Sequence, residues 1–211
     1  IIAGTGSNDT RHSVLLSKQA EDMGVDALLI VTPYYNKPSQ EGLYRHFEAI
    51  ASSVNLPIII YNVPSRTGVN ITAGTCLKLS EINNIAAVKE ASGNLAQISE
   101  IAKGAREDFL IYSGNDSDTL PILSVGGYGV ISVASHLMGK EIKQMINAYK
   151  SADVKKAKAI NSYLLDLFNA IFITTNPVPI KEALNMIGLK VGGVRLPLCQ
   201  MSDNERKTLI K

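Results

Sequence analysis

The chain has 211 residues, with 21 Lys+Arg against 19 Asp+Glu for a formal charge of +2, and 45% of its residues are hydrophobic. This composition supports a buried core and excludes a disordered or fibrous chain. The near-neutral charge argues against a dedicated nucleic-acid or membrane-surface binder. No apolar run reaches the roughly 18 residues that a membrane-spanning helix needs. Cys76 and Cys199 lie far apart and form no CxxC, so neither a disulfide framework nor a zinc site is expected. A soluble protein in a reducing, cytoplasmic setting fits best.

The start, Ile1-Ile2-Ala3-Gly4, carries no Met and no signal-peptide features. It reads as a buried strand, and the chain as a piece cut inside a fold. Strands are then expected at Ala27–Thr32, Ile58–Tyr61, Ala86–Lys89, Leu110–Tyr112 and Val130–Val133. All are Ile/Val/Leu/Ala-rich without alternation, as in strands buried on both faces of a parallel sheet. Between them, helices are expected at Thr10–Met23, Gln40–Ser53, Ala73–Ser80, Leu95–Ala105, Ser117–Val125 and Lys140–Lys150. In the second of these, Leu43, Phe47, Ile50, Ala51 and Val54 fall at helical spacing. Six βα units in series without a hairpin signal point to a βα barrel or a doubly wound sheet.

After Ser151 the pattern changes. Asp153–Ile171 reads as a long helix, Asn176-Pro177-Val178-Pro179 breaks it, and Ile180–Ile187 forms another helix closed by Gly188. The expected division is 1–151 for the βα portion and 152–211 for a C-terminal helical region.

Chemistry in parallel α/β folds collects at the carboxyl ends of the strands. Lys89 directly follows Ile85-Ala86-Ala87-Val88 and so belongs to its strand. An ordinary lysine is neutral in roughly 0.04% of molecules at pH 7. Desolvation disfavours the ammonium, and a neutral amine can attack a carbonyl to form a Schiff base. A structural lysine paired with Glu90 or another carboxylate is an equally weighted alternative. Tyr61 also ends its strand, and Tyr34-Tyr35 follow another; phenols can relay protons in imine and aldol steps. Arg66, in the turn Pro64-Ser65-Arg66-Thr67-Gly68, offers a planar fork suited to a carboxylate. Its plainer reading is a surface salt bridge.

His12, His46 and His136 have no metal-ligand spacing, and His46 reads as a solvated or packing residue beside charged neighbours. Asn115-Asp116-Ser117-Asp118 lacks an EF-hand frame and reads as a turn and helix N-cap. Ala134-Ser135-His136-Leu137 has no glycine nest, so the expected substrate is a carboxylate without a phosphate.

Thr32-Pro33-Tyr34-Tyr35-Asn36-Lys37-Pro38-Ser39-Gln40-Glu41-Gly42-Leu43-Tyr44 and Tyr61-Asn62-Val63-Pro64-Ser65-Arg66-Thr67-Gly68 resemble the dihydrodipicolinate synthase (4-hydroxy-tetrahydrodipicolinate synthase) family. So do Val88-Lys89-Glu90-Ala91-Ser92-Gly93-Asn94, Gly129-Val130-Ile131-Ser132-Val133 and Asn176-Pro177-Val178-Pro179-Ile180-Lys181. The likeness runs in order from Ile1 to near Lys211. It implies an α/β (β/α)8 TIM barrel with a C-terminal helical extension, here lacking about the first two βα units. It also implies a lyase that condenses pyruvate with L-aspartate-4-semialdehyde in lysine/diaminopimelate biosynthesis. By resemblance, Lys89 forms the pyruvate imine with no metal or organic cofactor, Tyr61 relays protons, and Tyr35 completes the relay in a neighbouring subunit. Arg66 holds the semialdehyde carboxylate, and Gly114 and Ile131 line the pyruvate pocket. A homotetramer built as a dimer of dimers is expected. Asn8 and Tyr34 match positions of a lysine-binding regulatory site, and His12 falls in the same region where lysine-sensitive members often carry glutamate. The family's upstream Gly-Thr-Thr-Gly-Glu loop has no counterpart, so the chain as it stands is expected to lack part of the site and to be inactive alone.

Two other readings accompany this one. Pyruvate-dependent aldolases such as N-acetylneuraminate lyase and 2-keto-3-deoxygluconate aldolase share the tyrosine and lysine motifs but generally lack an arginine matching Arg66. A non-catalytic carboxylate binder could also keep the barrel. Neither nucleic acid nor membrane is an expected partner.

Overall fold

The computed structural model describes residues 1–209. The chain runs β1 (Ile2–Gly4), α1 (Thr10–Asp22), β2 (Ala27–Val31), α2 (Gln40–Ala51), β3 (Ile58–Asn62), α3 (Pro64–Thr67), α4 (Ala73–Ser80) and β4 (Ile85–Glu90). It continues through α5 (Leu95–Gly104), β5 (Leu110–Ser113), α6 (Thr119–Ser124), β6 (Gly129–Val130), α7 (Ser135–Lys150), α8 (Val154–Ala170), α9 (Val178–Met186) and α10 (Asp203–Leu209). It forms two compact units: residues 1–114 with 121–131, and residues 115–120 with 132–211.

The first unit holds one six-stranded sheet in the order β1-β2-β3-β4-β5-β6, every pair parallel. The helices that return the chain start where short polar side chains take up free backbone N–H groups: Asp9 for α1, Ser39 for α2, Thr72 for α4 and Asn94 for α5. One face of the sheet, carrying Leu28, Ile30, Ile58, Ile60, Ile85 and Val88, is packed by Leu43, Phe47, Ile50, Leu79 and Ile98. Burying each such side chain is worth about 1.5–3 kcal/mol. The other face carries Tyr61 and Lys89.

Within the second unit, α7 packs on α8 and touches α9. Met145, Ala148 and Ala157 form one buried cluster there. Among the described residues no helix is long and apolar enough to cross a membrane.

Four expectations are corrected. Ile1 and Ile2 are not buried, at 86% and 50% exposure, because β1 is an edge strand that pairs only with β2 among the described residues. The last strand ends at Val130 rather than Val133. Beyond it the Asp116 carboxylate accepts from the backbone N–H groups of Val133 and Ala134 and from the Ser132 hydroxyl, so those donors leave the ladder. Asp116 therefore braces this turn. Helix α7 begins at Ser135, not Lys140, with a non-helical break at Met138. Finally, α3 and α10 were not expected. The α10 signal was the Ser202/Glu205 capping box, in which each residue bonds the other's backbone N–H.

Candidate active site

Parallel register pairs Tyr61 on β3 with Lys89 on β4, and Lys89 in turn with Tyr112 on β5. The three residues share one face of the sheet, since neighbours across a ladder point the same way. Both Tyr61 and Lys89 are half-buried, and the Lys89 Nζ lies 4.1 Å from the Tyr61 ring centroid. Burial raises the Tyr61 phenol above its ordinary pKa, and the Arg66 charge pulls it the other way. Burial also raises Tyr112, whose ring meets Tyr128 edge-on at 5.5 Å.

The next residue on each strand points to the opposite face. Glu90 is 1% exposed and held there by Asn62, Ser92 and Gln97. Its carboxylate thus lies on the far side of the sheet from the Lys89 amine.

Arg66 rides on the one-turn helix α3, which starts with Pro64 at its first position and ends at Gly68 with φ +75°. Glycine, lacking a Cβ, takes this left-handed closing position at least cost. The buried Thr67 hydroxyl lies 3.2 Å from the Val63 carbonyl and accepts from Thr32 at 3.2 Å, pinning this turn to the end of β2. Arg66 is an exposed residue.

The structure brings Lys89, Tyr61 and Gly114 together, Gly114 packing against the stem of Lys89 while its N–H donates to Glu90 O at 2.7 Å. Ile131, half-buried, donates its N–H to Ser113 O at 3.0 Å. Tyr35 is not brought in. It stands 88% exposed with φ +74°, its N–H reaching Thr67 O at 3.3 Å. Of the regulatory candidates, Asn8 accepts from the Asn36 side chain, and Asn36 N–H donates to Tyr34 O. His12 lies in the first turn of α1, in a groove shared with Arg11, Leu15 and Lys18.

His46 is buried, resolving the choice between solvation and packing. Its Nδ1 bonds the Thr10 hydroxyl at 2.9 Å, while Nε2 has no partner among the described residues. Burial lowers its pKa to about 4. No group of three His, Cys, Asp or Glu that could hold a metal occurs among the described residues. Sequence reasoning missed Tyr112, Thr67 and the polar cluster around Glu90. The alternation of β4 was the available signal, for it places Lys89 and Glu90 on opposite faces.

Comparison with known proteins extends the geometry. A sequence profile described as the dihydrodipicolinate synthetase family matches residues 1–211. A protein of Moorella thermoacetica named 4-hydroxy-tetrahydrodipicolinate synthase is 56% identical over 209 residues, 99% of this chain and 72% of that protein. The crystal structure of a dihydrodipicolinate synthase from Cyanidioschyzon merolae with lysine bound superposes with a TM-score of 0.97 at 46% identity, over 99% of this chain and 71% of that one. The chloride-inhibited dihydrodipicolinate synthase of Acinetobacter baumannii, complexed with pyruvate, gives a TM-score of 0.95 at 41% identity, over 100% and 72% of the two chains. With the strand-end lysine and tyrosine side by side and its whole length matched, the chain belongs to the dihydrodipicolinate synthetase family.

Proposed function

We propose that this chain carries the chemistry of a 4-hydroxy-tetrahydrodipicolinate synthase, condensing pyruvate with L-aspartate-4-semialdehyde in lysine biosynthesis. The observation that carries the reading is the placement of the Lys89 amine 4.1 Å from the Tyr61 ring on the adjacent strand. In its neutral form the amine adds to the pyruvate ketone, and water leaves to give the imine. Loss of a methyl proton yields an enamine. This attacks the semialdehyde aldehyde, forming the new carbon–carbon bond. Tyr61 is the proton relay in these steps, and Arg66 holds the second substrate's carboxylate.

The same reading gives Gly114 and Ile131 the lining of the pyruvate pocket, and needs no metal or organic cofactor. The six consecutive strands are the part of a (β/α)8 barrel that this chain carries. We further propose a cytoplasmic homotetramer in which Tyr35 serves a neighbouring subunit. The support is its 88% exposure in a backbone conformation uncommon for tyrosine. Asn8, Tyr34 and His12 stay proposed as a lysine-responsive region.

Incubation with pyruvate and borohydride, followed by peptide mass spectrometry, tests the function. Capture of a reduced pyruvyl group on Lys89 is expected. Capture elsewhere, or none either in this chain or in a longer version carrying the upstream Gly-Thr-Thr-Gly-Glu loop, removes the reading.

A further inference from the structure

Glu90 takes no part in the chemistry above, yet it is the most heavily bonded carboxylate beside the site. It is 1% exposed, on the face of β4 opposite Lys89. Asn62 Nδ2 donates to its two oxygens at 3.0 and 3.2 Å, Ser92 N–H at 2.9 Å and Gln97 Nε2 at 3.3 Å. Burial raises its pKa, and these donors oppose that rise.

The donors lead to three segments, each holding one residue of the proposed site. Asn62, 0% exposed, ends β3 directly after Tyr61. Its Oδ1 accepts from Ile71 N–H at 3.0 Å, and its Nδ2 also reaches Asn70 Oδ1 at 2.8 Å. Asn70 and Ile71 belong to the segment that follows the Arg66 helix. Asn70 Nδ2 in turn donates to Gln97 Oε1 at 2.8 Å, closing a ring back to Glu90. Ser92 follows Lys89 by three residues. The backbone repeats the connection, since Ala91 N–H donates to Asn62 O at 2.9 Å.

An apolar pair of this size at the strand ends would hold the sheet at no desolvation cost, but without fixing one geometry. A closed ring of directional bonds in a low-dielectric interior permits one arrangement. We propose that Glu90 is a positioning residue of the active site: through Asn62, Ser92 and the Asn70–Ile71 segment it fixes where Lys89, Tyr61 and Arg66 stand relative to one another. The proposal rests on the reading that Lys89 and Tyr61 are the reacting pair.

The test uses Glu90→Gln and the reciprocal double variant Glu90→Gln/Asn62→Asp. Glutamine sets a new donor against the donors of Asn62 and Gln97, whereas the double variant returns an acceptor to face it. Trace acylation of Lys89, measured against exposed Lys143, reads the amine directly. In Glu90→Gln the Lys89 rate is expected to change about tenfold, the effect of one pKa unit. Pyruvate capture by borohydride is expected to fall by about 10², as for a 1 Å misplacement. The double variant is expected to recover most of both. A lowered unfolding midpoint with unchanged Lys89 acylation overturns the proposal, as does failure of the double variant to recover. Should Glu90→Gln not fold, Gln97→Met removes one donor, and a changed Lys89 acylation rate is then required. If neither the unsubstituted chain nor the longer version captures pyruvate, the functional reading falls, while the acylation comparison still decides the positioning.

Discussion

Gly114 is shaped around Lys89: a methyl group on its Cα would lie 3.2 Å from Lys89 Cε and 2.7 Å from Ala91 Cβ. The second distance is an overlap with a short side chain that cannot swing away. Gly114→Ala is therefore expected to displace the β4 end, costing about 1–3 kcal/mol of stability. Pyruvate capture at Lys89 is expected to fall further than that loss explains. Denaturant midpoints and borohydride capture, measured together, check this.

The Arg66 charge lowers a phenol pKa that burial raises. Arg66→Ala is thus expected to move the Tyr61 titration to higher pH, followed by near-ultraviolet absorbance against Tyr61→Phe. In a longer version carrying the upstream loop, the same substitution is expected to raise KM for the semialdehyde far more than KM for pyruvate. Equal, small effects on both would argue for a surface ion pair.

His46 makes stability depend on acid. Its pKa falls from 6.5 to about 4 on folding, because burial disfavours the imidazolium. The unfolded chain therefore binds the proton first. The contribution is complete above pH 6.5 and is lost as pH falls from there through about 4. It amounts to on the order of 3 kcal/mol. His46→Gln is expected to flatten the stability curve across that window. Glu90, whose pKa is raised, works in the opposite sense, so the comparison with the substituted protein isolates the histidine.

The two cysteines are expected to part company under a thiol reagent. Cys76 is 1% exposed and burial raises its pKa, whereas Cys199 is exposed. Because the thiolate is the reacting form, one thiol is expected to react in the native protein and two in denaturant, counted by absorbance.

Much of this arrangement was readable residue by residue. The run Ile85–Val88 placed Lys89 at a strand end, and local caps such as Ser39 and Asn94 set helix starts that the structure keeps. His46 was more readable than its charged neighbours implied, for it falls on the same helical face as Leu43, Phe47 and Ile50. What the sequence withheld was contact between distant segments. Asn62, Asn70 and Gln97 converge on Glu90 from separate elements, and no local pattern names that meeting. The shortened β6 has the same cause, because Asp116 takes its donors from sixteen to eighteen residues away.

The unbroken strand order has a consequence for assembly. Each strand bonds to its sequence neighbour, so paired residues stand only roughly 17–30 positions apart, and loop-closure entropy grows with the logarithm of that span. A parallel sheet, usually slow to form because its contacts are remote, is here put together from near-local pieces. Lengthening any one connection disturbs only the two strands that it joins, leaving the Tyr61–Lys89 row to be altered by changes in the residues between them.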